Sequence, residues 1–187
     1  MDPISQGIVG AAAGGAVGGA RMPRASLLIG FLTGLTADLD VFIPTGGDPT
    51  AGMVWHRGIT HALAFIPVGA AVCFAPCLLV PSLRREWKRT FLVCLAAYAT
   101  HAPLDALTSY GTQLLLPFSS YRAALDWMPI VDPVFTITLV ALVFLAAIKG
   151  APRISALALA FAGLYVGFGA WQHHRAVDVM HALADRR

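Results

Sequence analysis

The sequence predicts an all-α fold: an integral membrane helical bundle of about six helices, two of them short or irregular. Three observations predict it. First, 57% of the 187 residues are hydrophobic and only 12% are charged, about half the charge of an ordinary soluble domain. Second, the mean hydropathy is +0.70, and the apolar residues fall into six charge-free stretches. Third, the opening stretch is almost bare of side chains, a composition suited to a helix packed inside other helices.

The stretches run Pro3 to Ala20, Ala25 to Ala37, Ala62 to Leu83, Thr90 to Thr100, Pro133 to Ile148 and Ile154 to Gln172. Those starting at Ala62 and Ile154 have the roughly 20 residues that a lone helix needs to cross a bilayer. The others are shorter or end in ionisable residues, and cross only if neighbours cover their polar ends. In the first, Gly10, Gly14 and Gly18 recur every four residues among alanines, lining up a groove for close helix approach. Residues 1–172 thus read as one helical membrane domain, and 173–187, with His173, His174, Arg175, Arg186 and Arg187, as a short polar tail. The first stretch lacks the basic start and Leu-rich centre of a cleavable signal.

Charge orients the spans. Arg21 and Arg24 follow the first stretch, Arg84, Arg85, Lys88 and Arg89 the third, and Lys149 and Arg153 the fifth. With six alternating helices these loops share one side, the cytoplasmic side by the positive-inside rule of a bacterial-type inner membrane, and both termini face outward. The net charge of +3 is scattered, forming no basic face of the kind nucleic acid needs. Cys73, Cys77 and Cys94 are odd in number and lie in apolar runs, which fits buried thiols rather than disulfides or a zinc knuckle.

The same alternation gathers Asp38, Asp40, His56, His61, His101, Asp105, Asp126 and Asp132 on the opposite, outer face, eight of the sixteen Asp, Glu and His residues. Ionisable groups at membrane depth cost about 2.5 to 3.5 kcal/mol each at a helix centre, so their retention marks function by default. His101 and Asp105 stand at i and i+4, one helical turn apart, and can share an ion. Asp38 and Asp40 stand at i and i+2, and bind together only where the helix unwinds; Pro44, Gly46 and Gly47 signal its end. Between His56 and His61, Gly58 permits a turn and Thr60 is a good N-cap for a helix from His61. Asp132 before Pro133 reads either as a simple N-cap or as a catalytic carboxylate. The mix of His and carboxylate suits one or two catalytic divalent ions, zinc before manganese or iron.

MDPISQG at the start, ADLD at 37–40, HRGITH at 56–61 and THAPLDALTSYGTQLLLPF at 100–118 resemble the YdjM-type membrane-bound, metal-dependent hydrolases, a family also labelled LexA-binding. The resemblance covers roughly the first 135 residues, and its specific part is HRGxTH with HxxxD. It implies an integral inner-membrane hydrolase, phospholipase-like by remote similarity to zinc phospholipase C. The ligands it implies map onto Asp38, Asp40, His56, His61, His101 and Asp105. Many members carry a histidine where this chain has Gln6, a neutral amide and a poor ligand.

The expected function is hydrolysis of a phosphoester or other ester bond in a lipid or amphiphilic substrate, by a metal-activated water. Arg57 is placed to clamp a phosphate or to pair with an aspartate. Asp126 or Asp132 is placed as general base or as a group orienting a histidine, and Thr108 to hydrogen-bond ligand or substrate. The alternative is a non-enzymatic transporter or carrier of metal ions or protons, which needs a pathway to both sides.

Overall fold

A computed structural model of the protein describes residues 1–42, 46 and 56–185. Pro44, Gly47, Arg186 and Arg187 lie outside the described residues. Within them the chain is all-α, with seven α-helices rather than six: α1 (Pro3–Gly18), α2 (Ala25–Thr36), α3 (Ile66–Cys77), α4 (Pro81–Arg85), α5 (Trp87–Ala106), α6 (Pro133–Lys149) and α7 (Pro152–Ala184). An isolated bridge between Thr112 and Ala123 is the only β pairing among them.

The extra helix comes from the stretch that begins at Ala62, which looks continuous in hydropathy but is broken in the backbone. Two short 3-10 turns, Ile59–His61 and Leu63–Phe65, precede α3, and the chain turns again before α4. Proline explains this. Pro67 and Pro81 occupy first-turn positions, where a missing N–H is harmless, whereas Pro76 sits in the last turn of α3 and removes a donor there. Among the described residues, the two segments long and apolar enough to cross a membrane are therefore Ala25–Phe42 and Pro152–Ala184. The first gains its length because a 3-10 helix, Ala37–Phe42, continues α2. The second runs on past half-buried His173 and exposed His174 as a largely exposed helix to Ala184.

Side-chain caps start two helices. Asp2 accepts the Ser5 N–H at the start of α1, and Asp132 accepts the Phe135 N–H at the start of α6. At the far end of α6, Gly150 stops the helix at φ 58, a left-handed conformation that glycine adopts without strain.

α1 is the central helix, in contact with α2, α5, α6 and α7. Its glycines make this possible: a Cβ on Gly10 would stand 2.9 Å from the Gly34 Cα and run into the Gly30 carbonyl. Gly10→Val is accordingly expected to push α1 off α2 and cost at least about 1–3 kcal/mol, the usual penalty of overpacking. A melting curve of the purified protein checks it.

α2 and α5 carry the chain between the two ends of the bundle. α5, with 20 residues, is about 30 Å long. The basic residues Arg21, Arg24 and Lys88 stand at or before the first turns of these two helices, and Asp38, His101 and Asp105 at or just past their last turns. Outward-facing apolar side chains cover the flanks, among them Leu28, Val72, Phe144 and Leu164, each more than half exposed.

Candidate metal centre

The acidic and imidazole side chains of the site reach it from three pieces of backbone. α5 supplies His101 and Asp105 from one face, as their spacing predicts. The 3-10 continuation of α2 supplies Asp38 and Asp40, and the short 3-10 turn before α3 supplies His61. Thr60 is not a helix cap. It lies in the same turn as His61, and its hydroxyl donates to Asp40 Oδ2 at 2.8 Å. The turn between His56 and His61 is made by Arg57 at φ 62, rather than by Gly58.

Asp38, His61, His101 and Asp105 converge so that one ligand atom from each lies within 4.8 Å of all the others. Three of the four residues are fully buried and Asp38 is part-exposed. His61 Nε2 stands 3.0 Å from His101 Nε2, 3.1 Å from Asp105 Oδ2 and 3.4 Å from Asp38 Oδ1. His101 Nε2 stands 3.2 Å from Asp38 Oδ1 and 3.5 Å from Asp105 Oδ2. Ligand atoms bound tetrahedrally at about 2.0–2.1 Å from one ion are about 3.3–3.4 Å apart, so these separations fit a single ion.

The outer ring of hydrogen bonds fixes which atoms face inward. His101 Nδ1 lies 2.6 Å from the Gly34 carbonyl, which only accepts, so Nδ1 carries the proton and Nε2 presents its lone pair. His61 Nδ1 lies 3.0 Å from the Thr60 hydroxyl and 3.4 Å from Asp40 Oδ2. Because Thr60 gives its own proton to Asp40, its oxygen accepts from His61, and His61 Nε2 is likewise left with a lone pair. Asp105 is divided in the same way. Its Oδ1 is held by Gln6 Nε2 at 3.0 Å, by Arg57 at 3.2 Å and by the Met1 amino group. Its Oδ2 is buried with no hydrogen-bond partner. Four electron-rich atoms thus face one point with no proton between them when the rings are neutral. That arrangement is repulsive unless a metal ion sits there or a ring takes up a proton, and, against the opposing effect of burial, the surrounding carboxylates raise the His61 imidazole well above its ordinary range when no metal is bound.

Of the six ligands expected from sequence, Asp40 and His56 stand one layer out. Asp40 accepts from His56 Nδ1 at 2.7 Å, from the Arg57 amide at 3.2 Å and from Thr60, and it braces the far side of the His61 ring. Asp40→Asn is expected to weaken metal binding about 10–100-fold at unchanged stoichiometry, as loss of an outer carboxylate does. Titration with metal, followed by elemental analysis at saturation, checks both parts.

The other expected residues divide. Arg57 is buried, donates to Thr108 Oγ1 at 3.1 Å as well as pairing with Asp105, and stacks 4.7 Å over the Tyr110 ring. Thr108 in turn donates to the Asp105 carbonyl at 2.8 Å. Asp132 is not brought to the cluster. One carboxylate oxygen caps α6 and the other accepts from Tyr165 at 2.9 Å. Asp126 is exposed at φ 56 and has no hydrogen bond or ion pair to the cluster. The Gly34 carbonyl was hidden from sequence, having no side chain to notice, and Thr60 was visible only as a helix cap. Gln6 was visible as the one amide in a glycine–alanine helix, and it serves by holding Asp105.

No curated protein and no solved structure matches the chain. A family model does, that of the YdjM inner membrane protein, over residues 1–176. With this match spanning nearly the whole sequence, including every residue of the acidic and imidazole cluster, the chain belongs to the YdjM inner membrane protein family.

Proposed function

We propose that the protein is an integral membrane bundle that hydrolyses a phosphoester or other ester bond in a lipid or amphiphilic substrate. It does so with one divalent ion, zinc, held by Asp38, His61, His101 and Asp105. The observation that carries this reading is the convergence of four inward-facing donor atoms on one point, with no proton among them once both rings are neutral. Such an ion, when bound, acidifies a water and polarises the oxygen of the bond to be cleaved. The chain's own residues do the rest. Gly34, Thr60 and Asp40 keep both imidazoles in the ligating tautomer, and Gln6 and Arg57 turn Asp105 so that Oδ2 points inward.

The rim supports a lipid as substrate. Along the 3-10 segment the carboxylates alternate with exposed apolar residues: Asp38 and Asp40 with Leu39, Val41 and Phe42, the last 78% exposed. Ile59 and Leu63 flank His61 in the same way. Phe118, 88% exposed, lies in the loop after α5, which is joined to the site by bonds from the Gln113 amide to the Arg57 carbonyl and from the Leu63 amide to the Leu114 carbonyl. A polar centre ringed by exposed apolar side chains suits a substrate with a polar ester and acyl chains. Hydrolysis is favoured over ion transport by the midsection, where Val93, Cys94 and Ala97 are fully buried between the cluster and the basic end and supply no hydrophilic path.

The test is elemental analysis of the purified protein with a hydrolysis screen over phosphodiester and carboxylic ester lipids. About one metal per chain, and activity lost to chelator and restored by zinc, is the expected result; metal-free protein with no affinity for zinc, or activity indifferent to chelator, overturns it. The outer-face placement is tested in protein cleared of native cysteines. Ser120→Cys is expected to react with an impermeant thiol reagent in intact cells and Arg85→Cys only after lysis.

A further inference from the structure

At the end of the bundle away from the acidic cluster, three loops distant in sequence line one cavity of about 470 Å³. Arg21 and Arg24 reach it from the α1–α2 connection, Ser82 and Glu86 from α4 and its end, and Lys149 from the last turn of α6. Three cations there face one carboxylate. Glu86 divides itself between Arg21 at 3.9 Å and Arg89 at 3.5 Å. Arg24 is positioned by its Nε donating to the Ala147 carbonyl at 3.1 Å, and no described carboxylate pairs with it or with Lys149.

Leu83 forms a wall of this cavity and also of a second one, about 460 Å³, between α2 and α3. The second is apolar, bordered by Leu28, Leu32, Val72 and Val80. The two follow one face of α2: Ala25 borders the basic cavity, and Leu28 and Ile29, one helical turn on, border the apolar one.

We propose that the paired cavities bind one anionic phospholipid from the leaflet at this end. Its phosphate lies against Arg21, Arg24 and Lys149, and an acyl chain lies along Leu28, Leu32, Val72 and Val80. The charge selects the headgroup: a zwitterionic lipid brings its own cation and gains less from a site where three cations face one carboxylate. The adjoining groove selects a lipid over free phosphate, since phosphate alone leaves those apolar side chains in water. The site lies at the opposite ends of α2 and α5 from the metal centre and does not depend on the hydrolase reading.

Native mass spectrometry of the full chain in detergent, with phosphatidylglycerol and phosphatidylcholine of identical chains, tests the proposal. Wild-type protein retains one phosphatidylglycerol in preference to phosphatidylcholine. The double variant Arg21→Gln, Lys149→Gln loses that preference by about thirtyfold, at roughly fivefold per basic residue. Leu32→Trp, on an exposed face where it leaves the core alone, fills the groove and weakens retention of phosphatidylglycerol even if the double variant fails to fold. Equal retention of both lipids by wild type, or a Leu32→Trp variant that binds as wild type does, overturns the proposal. Displacement of phosphatidylglycerol by millimolar inorganic phosphate marks a phosphate-only site and also overturns it.

Discussion

His101→Ala is expected to weaken metal binding by more than about a hundredfold, beyond the range for loss of an outer carboxylate, and to drop hydrolysis to the level of chelator-treated protein. The imidazole is fully buried, and its Nε2 is the atom nearest both His61 Nε2 and Asp38 Oδ1. The other imidazole of the cluster, His61, already supplies its own ligand atom there. The substitution also strips the Gly34 carbonyl of its 2.6 Å donor, a loss of about 1–3 kcal/mol for a buried acceptor, so some destabilisation accompanies it. Asp38→Asn separates the two effects. It keeps the shape of a side chain that is 22% exposed, removes only its charge, and should lose metal with little change in melting temperature. Full metal occupancy in both variants would sink the assignment of the site.

The parts of this structure that were legible in the sequence are those decided within a few residues. His101 and Asp105 share a face because four residues make about one helical turn, and the cap of α6 follows from an aspartate before a proline. The break after Ala62 was not legible from hydropathy, because hydropathy weighs side chains while the break is made by the missing N–H of proline and by partners for the loop amides. The Leu63 amide, for instance, finds the Leu114 carbonyl, 51 residues away. The site shows the same division. The alternation of spans collected eight acidic and imidazole candidates on one face and the family resemblance narrowed them to six ligands, yet neither carries information on which side of the His61 ring a carboxylate lands. Asp38 reaches Nε2 and Asp40 reaches Nδ1 because the backbone between them winds as a 3-10 helix rather than an α-helix. Asp132 reads in sequence either as a cap or as a catalytic carboxylate, and its partners, Phe135 and Tyr165, decide for the cap, with one oxygen starting α6 and the other tied to α7.

Arg57→Ala is expected to destabilise the metal-free protein, by less than the about 3–5 kcal/mol of a wholly unpaired buried carboxylate because Gln6 and the Met1 amino group still hold Asp105, and to do so far less once metal is bound. Asp38, Asp40 and Asp105 bring three negative charges to the centre, and among the described residues Arg57 and the Met1 amino group are the fixed cations in contact with it. Without a metal ion, loss of the guanidinium leaves Asp105 short of a 3.2 Å ion pair and Thr108 short of a donor. With the ion present, its two positive charges replace much of what was lost. The gap between the melting temperatures in chelator and in zinc therefore widens in the variant. Arg57→Lys retains charge but not the fork that reaches Asp105 and Thr108 together, so it falls between wild type and Arg57→Ala. A phosphate clamp makes the opposite forecast. An arginine reserved for substrate leaves the metal-free melting temperature unchanged when removed, and turnover falls about 10²–10³-fold, as for loss of one preorganised donor. Melting temperature in chelator and in zinc, measured beside turnover on the two variants, distinguishes these roles. An Arg57→Ala protein that is as stable as wild type without metal would overturn the pairing with Asp105 as the reason the arginine is buried there.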